Sequence, residues 1–114
     1  MQNNQTNQNK SIDKLRGYLG LSIRAGKIVF GADNIIEWRK KNYGMFADAN
    51  TAQNTLDKMR AFAETRGLEF TILPNNLDLS TLMHKENVKV IAISSKNLYT
   101  IIKETVDNLD KVSK

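Results

Sequence analysis

The chain has 114 residues, of which 40% are apolar and 25% charged, and its 17 Lys/Arg against 12 Asp/Glu leave a net charge of +5. That length supports one hydrophobic core and not two. The absence of cysteine excludes disulfides and thiolate chemistry, and a lone histidine, His84, excludes a two-histidine metal or catalytic site.

No apolar run approaches the roughly 20 residues of a membrane helix. The N-terminus has neither a signal core nor an arginine-rich amphipathic pattern. The expectation is a single cytoplasmic domain over residues 11–114, with no metal, no cofactor and no membrane partner. Met1 to Lys10 reads MQNNQTNQNK. It buries nothing that would offset its ordering entropy, so it is expected to be a disordered polar tail.

Ser11 is placed to cap a first helix, with Ile12, Leu15, Leu19 and Ile23 on one stripe and Gly26 at its stop. Lys27 to Phe30 reads as a short strand, and Gly31 as a turn into a second helix over about Asp33–Lys41. Tyr43–Ala47 is continuously apolar, as a buried strand is. Asn50 with Gln53 has the spacing of a capping box for a third helix, whose inner face is Ala52, Leu56, Met59 and Phe62/Ala63 and which ends at Gly67. Leu68, Phe70 and Ile72 alternate with polar residues, as in a strand exposed on one face. A short helix follows around Asp78–Met83. Val88 to Ile93 is the most hydrophobic run and reads as the central strand. Leu98, Ile101, Ile102, Val106 and Leu109 line a closing helix. Helices and strands that alternate in this way predict an α/β fold, a three-layer α/β/α sandwich with a four-stranded mixed sheet.

Charge is unevenly distributed. Residues 10–42 carry eight basic and three acidic side chains, and residues 43–86 carry four and six. A basic lobe suits an anionic partner, and a solvated lysine-rich surface would give the same count. Arg24, Lys27 and Arg39–Lys41 read either as phosphate contacts or as favourable charge at helix C-termini. Asn50, Thr51 and Asn54 stand at the head of the third helix, where they cap it or meet a phosphate or base edge. Trp38 lies off the Ile35/Ile36 stripe, placed either to stack on a base or to pack at the rim of the core. No carboxylate pair is flanked by apolar residues that would raise a pKa, and there is no nucleophile–base set, P-loop or dinucleotide fingerprint. The chain is expected not to be an enzyme.

The segment Leu19-Gly20-Leu21-Ser22-Ile23-Arg24-Ala25-Gly26-Lys27-Ile28-Val29-Phe30-Gly31 resembles the opening motif of the kink-turn-binding ribosomal protein family, the L-seven-Ae type, and within it the small bacterial YlxQ/YbxF-like branch. Ala47-Asp48-Ala49 followed by Asn54-Thr55, and Leu79 to Ile93, fit the same order; the resemblance covers about residues 12–109. It implies a non-catalytic, ribosome-associated protein that binds structured RNA. In that family a Gly-x-Asn-Glu-x-x-Lys pattern at the second helix meets sheared G·A pairs and the RNA backbone. The loop before the last strand packs apolar residues on an extruded base.

Carried over by position, Gly31 matches and Ala32 fills the free place. Asp33 stands for Asn, Asn34 for Glu and Glu37 for Lys. Asp33 lacks the amide donor, and Glu37 replaces a counter-charge with repulsion, so the recognition residues are altered. The glycines expected near Ser80 and His84 are absent. Leu79, Leu82 and Met83 supply either the apolar base contact or the core of the short helix. The RNA-contacting set implied is Arg24, Lys27, Gly31, Ala32, Asp33, Asn34, Glu37, Asn50, Asn54, Leu79, Leu82 and Met83. The alternative is a protein–protein interaction module that kept the fold and lost kink-turn recognition.

Overall fold

The computed structural model describes the backbone of residues 2–112 and the side chains of residues 10–109. Nine elements follow one another in it: α1 (Gln2–Arg24), β1 (Ile28–Phe30), α2 (Ala32–Glu37), β2 (Gly44–Ala47), α3 (Gln53–Arg66), β3 (Glu69–Ile72), α4 (Leu79–Met83), β4 (Val90–Ile93) and α5 (Lys96–Val112). The expected order of helices and strands is realised, with three departures beyond small shifts at element ends. α1 begins at Gln2, so Ser11 lies inside it instead of capping it. Once the packed Leu15 and Leu19 turns hold a helix, each further residue adds a hydrogen bond. The side chains of the polar segment expected as a tail lie, up to residue 9, outside those described. α2 stops at Glu37, where Trp38 turns extended (φ −68°, ψ 129°), so Arg39–Lys41 form a connection and not a helix end. α3 is preceded by Ala52 with no side-chain cap, so the Asn50–Gln53 capping box does not form, and Ala52 is exposed ahead of the helix instead of lying on its inner face.

The sheet order is β1-β4-β2-β3. β4 pairs antiparallel with both β1 and β2, and β2 pairs parallel with β3. β4 is interior, as its composition predicted, beside the equally interior β2, and all four of its residues are buried. Alternation along the strands divides the core in two. Phe46, Ile91 and Ile93 face Leu15, Leu19, Leu79, Ile102, Val106 and Leu109 of α1, α4 and α5. Met45, Ala47, Val90 and Ala92 face Ile35, Leu56, Met59 and Ala63 of α2 and α3. The fold is a three-layer α/β/α sandwich.

The register decides which loops are neighbours. Phe30 stands opposite Ile91, Ala47 opposite Val90, and Ile72 opposite Ala47. The C-terminal ends of β1, β2 and β3 therefore share one end of the sheet with the start of β4. At the other end Ile28 and Gly44 both stand opposite Ile93, and Glu69 opposite Gly44.

One buried carboxylate ties the first of these ends together. Asp48 follows β2 and is 1% exposed. Its Oδ1 accepts the Leu79 N–H at 2.9 Å, its backbone N–H reaches the Lys89 carbonyl at 2.9 Å, and its carbonyl accepts the Thr51 hydroxyl at 2.8 Å. α4 thus starts on two carboxylates, since Asp78 accepts the Ser80 N–H at 3.0 Å. Ser80 Oγ closes the following loop, accepting from the Val88 N–H at 2.9 Å and donating to its carbonyl at 3.2 Å. Burial raises the Asp48 carboxyl above the ordinary carboxylate range, and the Leu79 N–H and Lys89 ammonium oppose that rise.

At the other end a glycine is required by space. A Cβ on Gly44 would lie inside van der Waals contact of the Tyr99 ring, which packs on Phe46 (ring centroids 5.7 Å apart) and donates its hydroxyl proton to Glu69. Gly44→Ala must therefore push the ring off both partners and is expected to lower stability by about 1–3 kcal/mol. Denaturant midpoints across the cycle with Tyr99→Ala check this: the two losses should be strongly sub-additive. For Asp48, Asp48→Ala strands the buried Leu79 N–H and should cost about 1–3 kcal/mol, while Asp48→Asn keeps an acceptor and costs less. Because the folded pKa is raised, ionising Asp48 disfavours the folded state. The stability of the parent relative to Asp48→Asn is greatest below the ordinary carboxylate pKa and falls as pH rises through the elevated one. Unfolding free energies measured from acid to neutral pH test that slope; a difference that grew with pH would contradict it.

Candidate nucleic-acid interface

The Phe30–Ala47 end of the sheet collects three segments that are far apart in sequence. Residues 31–34 open α2, residues 48–54 lead into α3, and residues 84–89 lead into β4. Gly31 takes φ +89°, a conformation that side chains rarely adopt, and its N–H bonds the Val90 carbonyl at 2.9 Å. The chain can thereby leave β1 and enter α2 with no side chain capping the helix start. Ala32 lies at the edge of the α2–α3 core. Asp33 and Asn34 are exposed. Asn34 turns its amide back to the Phe30 carbonyl at 2.9 Å, and Asp33 accepts from Lys58 Nζ at 3.2 Å, joining α2 to α3. Glu37 is exposed one turn further on.

Asn50 accepts from Lys89 Nζ at 3.3 Å, which is the use it finds in place of capping. Lys89 also lies 3.9 Å from Asp48 Oδ2, an oxygen with no hydrogen-bond partner. Asn54 is exposed in the first turn of α3. Residues 84–89 carry the parts that the sequence reading missed. His84 and Asn87 take φ 55° and 61°. They supply the left-handed turns expected of glycine, as asparagine and histidine do more readily than branched residues. Lys85 Nζ stands 5.0 Å over the Phe30 ring and so bridges this loop to the start of α2. The lysines at 85 and 89 were visible as charges in the sequence, but no motif assigned them.

Two groups of expected residues are placed elsewhere. Leu79, Leu82 and Met83 are 1%, 3% and 7% exposed and belong to the α1–α4–α5 core. A five-residue helix capped by two carboxylates turns its apolar side inward, which takes these three side chains away from any base. Arg24 and Lys27 are exposed but precede β1, and the Lys27 carbonyl accepts from Ser94 beyond β4. They stand at the opposite end of the sheet from Gly31, and Arg39–Lys41, which precede β2, stand there with them.

The surface that remains is polar and mixed in charge: exposed Asp33, Asn34, Glu37, Asn50, Asn54 and Glu86, with Lys58, Lys85 and Lys89 at its edges. It can donate and accept hydrogen bonds and neutralise a few phosphates. Among the described residues no group of three or more His, Cys, Asp or Glu is arranged to hold a metal ion, and no helix is long and apolar enough to cross a membrane.

No family model matches the sequence, and no curated protein matches it. Solved structures do share the fold. A Bacillus halodurans protein of unknown function superposes with a TM-score of 0.73 at 16% identity, over 82% of this chain and 97% of that one. The 15.5 kD RNA-binding protein of Giardia lamblia superposes with a TM-score of 0.62 at 15% identity, over 90% of each chain. At these identities the likeness is one of fold.

Proposed function

We propose that this chain is a non-catalytic RNA-binding protein that meets structured RNA with the sheet end formed by Gly31–Asn34, Asp48–Asn54 and His84–Lys89. The observation that carries the reading is the register of β4, which brings those three segments to one end although they are spread over about half of the sequence. The likeness of fold to an RNA-binding protein supports it. The contact would combine hydrogen bonds from exposed amides with a small number of lysine–phosphate pairs, as suits shape-directed recognition of irregular RNA. Relative to kink-turn binders, Asp33 is held by Lys58 and Glu37 adds negative charge, so the proposed target is a structured RNA, ribosomal in our reading, approached with altered contacts. The same reading has the protein acting in the cytoplasm without a cofactor. Exposed Asp33 and Glu37 favour one competing reading, a protein-interaction module on the same fold. Nuclease treatment before a pull-down separates the two, because a protein partner survives it and an RNA-bridged one does not.

Gel-shift titrations of kink-turn, straight-duplex and ribosomal RNA over a range of salt concentrations test the proposal. Salt-dependent binding to at least one of them at micromolar protein is expected, and none to any would overturn it. Lys85→Ala should weaken the bound RNA uniformly and lower the slope of log affinity against log salt by about one. The combined variant Asp33→Asn, Asn34→Glu, Glu37→Lys should bind kink-turn RNA more tightly than the parent. It removes the Asp33–Lys58 pair, frees position 34 from the Phe30 carbonyl and restores a counter-charge at position 37.

A further inference from the structure

The strongest concentration of positive charge lies at the other end of the sheet and lines a cleft. Between the α2–β2 connection and the end of α3 the chain leaves a space of about 520 Å³ whose lining includes Arg39, Lys40, Lys41 and Arg66 and no carboxylate. Among the described residues none of these four cations is in an ion pair. Exposed Arg24 and Lys27 stand at the same end. Uncompensated charge in a concavity focuses its field on whatever enters.

The cleft also has an aromatic wall and two buried polar atoms without partners. Trp38 and Phe62 line it, and the Arg66 guanidinium lies 5.0 Å over the Phe62 ring. Asn42, 8% exposed, keeps its Oδ1 buried and unpaired, and Trp38, another lining residue, keeps its Nε1 buried and unpaired. Buried polar groups are nearly always satisfied, and a turn of the Asn42 side chain toward the cleft would let a ligand there satisfy it. A bare phosphate would answer the cations only. An acidic peptide would leave the aromatic wall without a stacking partner. A nucleobase stacks its face on the Trp38 indole, offers its edge to the Asn42 amide, and brings a phosphate that answers the cations.

We propose that this cleft binds one nucleotide unit, with the base against Trp38 and Asn42 and the phosphate on Arg39–Lys41 and Arg66. The unit is either a free nucleotide or one residue of a single strand; the recognising chemistry is the same. The inference is independent of the RNA surface above, which lies at the opposite end of the sheet and uses other residues.

Trp38 is the sole tryptophan of the chain, so its fluorescence reports on the cleft directly. The full chain is titrated at low salt with adenosine and uridine monophosphates, with a short single-stranded RNA and with inorganic phosphate. Saturable quenching by a mononucleotide supports a free nucleotide as ligand, and quenching by the oligonucleotide alone supports a strand residue. Lys40→Ala/Arg66→Ala, and separately the surface pair Arg39→Ala/Lys40→Ala, should each weaken quenching about tenfold or more, with an unchanged thermal midpoint for the second pair. Lys85→Ala should leave quenching by the mononucleotide or oligonucleotide as it was, so this proposal and the reading of the other end fail separately. Absence of quenching by both nucleotide probes at millimolar concentration overturns the proposal. So does an equal effect of inorganic phosphate, or quenching that survives both cleft variants.

Discussion

The interior position of β4 is the constraint on which the rest of the molecule depends. Val90 and Ala92 enter one core and Ile91 and Ile93 the other, so every side chain of the strand is buried and neither face can slip toward solvent. A shift of one residue would exchange isoleucine for alanine and valine across both layers. That penalty holds the register against β1 and β2, and the register in turn determines which loops share an end.

The two ends differ in kind. The end at Phe30, Ala47 and the start of β4 is built on fixed internal bonds: the Asp48 carboxylate on the start of α4, the Ser80–Val88 exchange, and the Gly31 N–H on Val90. Its outer surface mixes amides, carboxylates and a few lysines. The end at Ile28 and Gly44 is basic and holds an aromatic-walled cleft with unpaired polar atoms. α2 spans the distance between them, starting at Gly31 beside the first end and delivering Trp38 to the second.

Asp48 shows how a costly group earns its position. Burial disfavours its charge, yet it joins the end of β2 to α4 and to the start of β4, and those junctions hold the loops that the site needs. Lys89 moderates the cost from the surface side while also holding Asn50. A single acidic residue thereby couples the placement of segments that are separated by some thirty to forty positions in the chain.

Much of the fold was legible in the sequence because it rests on periodicity. The order of elements, the double burial of Val90–Ile93, the inward face of Leu56, Met59 and Ala63 and the stop at Gly67 all follow from local apolar spacing and turn chemistry. The end of α2 was not legible: nothing local forbids Arg39–Lys41 from continuing a helix, and only the need to bring Tyr43 back to the sheet turns Trp38 extended. Capping of α3 failed for a similar reason, since Asn50 is taken by Lys89 across the sheet end. The site was legible only in part. Gly31, Asp33, Asn34, Asn50 and Asn54, expected as RNA contacts, share one end of the sheet, and Arg24 and Lys27 stand at the other, across one short strand whose direction no composition reveals. The placement of Lys85 and Asn87 at the Gly31 end comes from a loop path closed by Ser80 and not from any local motif. Local pattern thus determined the elements and their buried faces, while pairing register, a long-range property of packing on both sides of β4, decided which charges and amides meet.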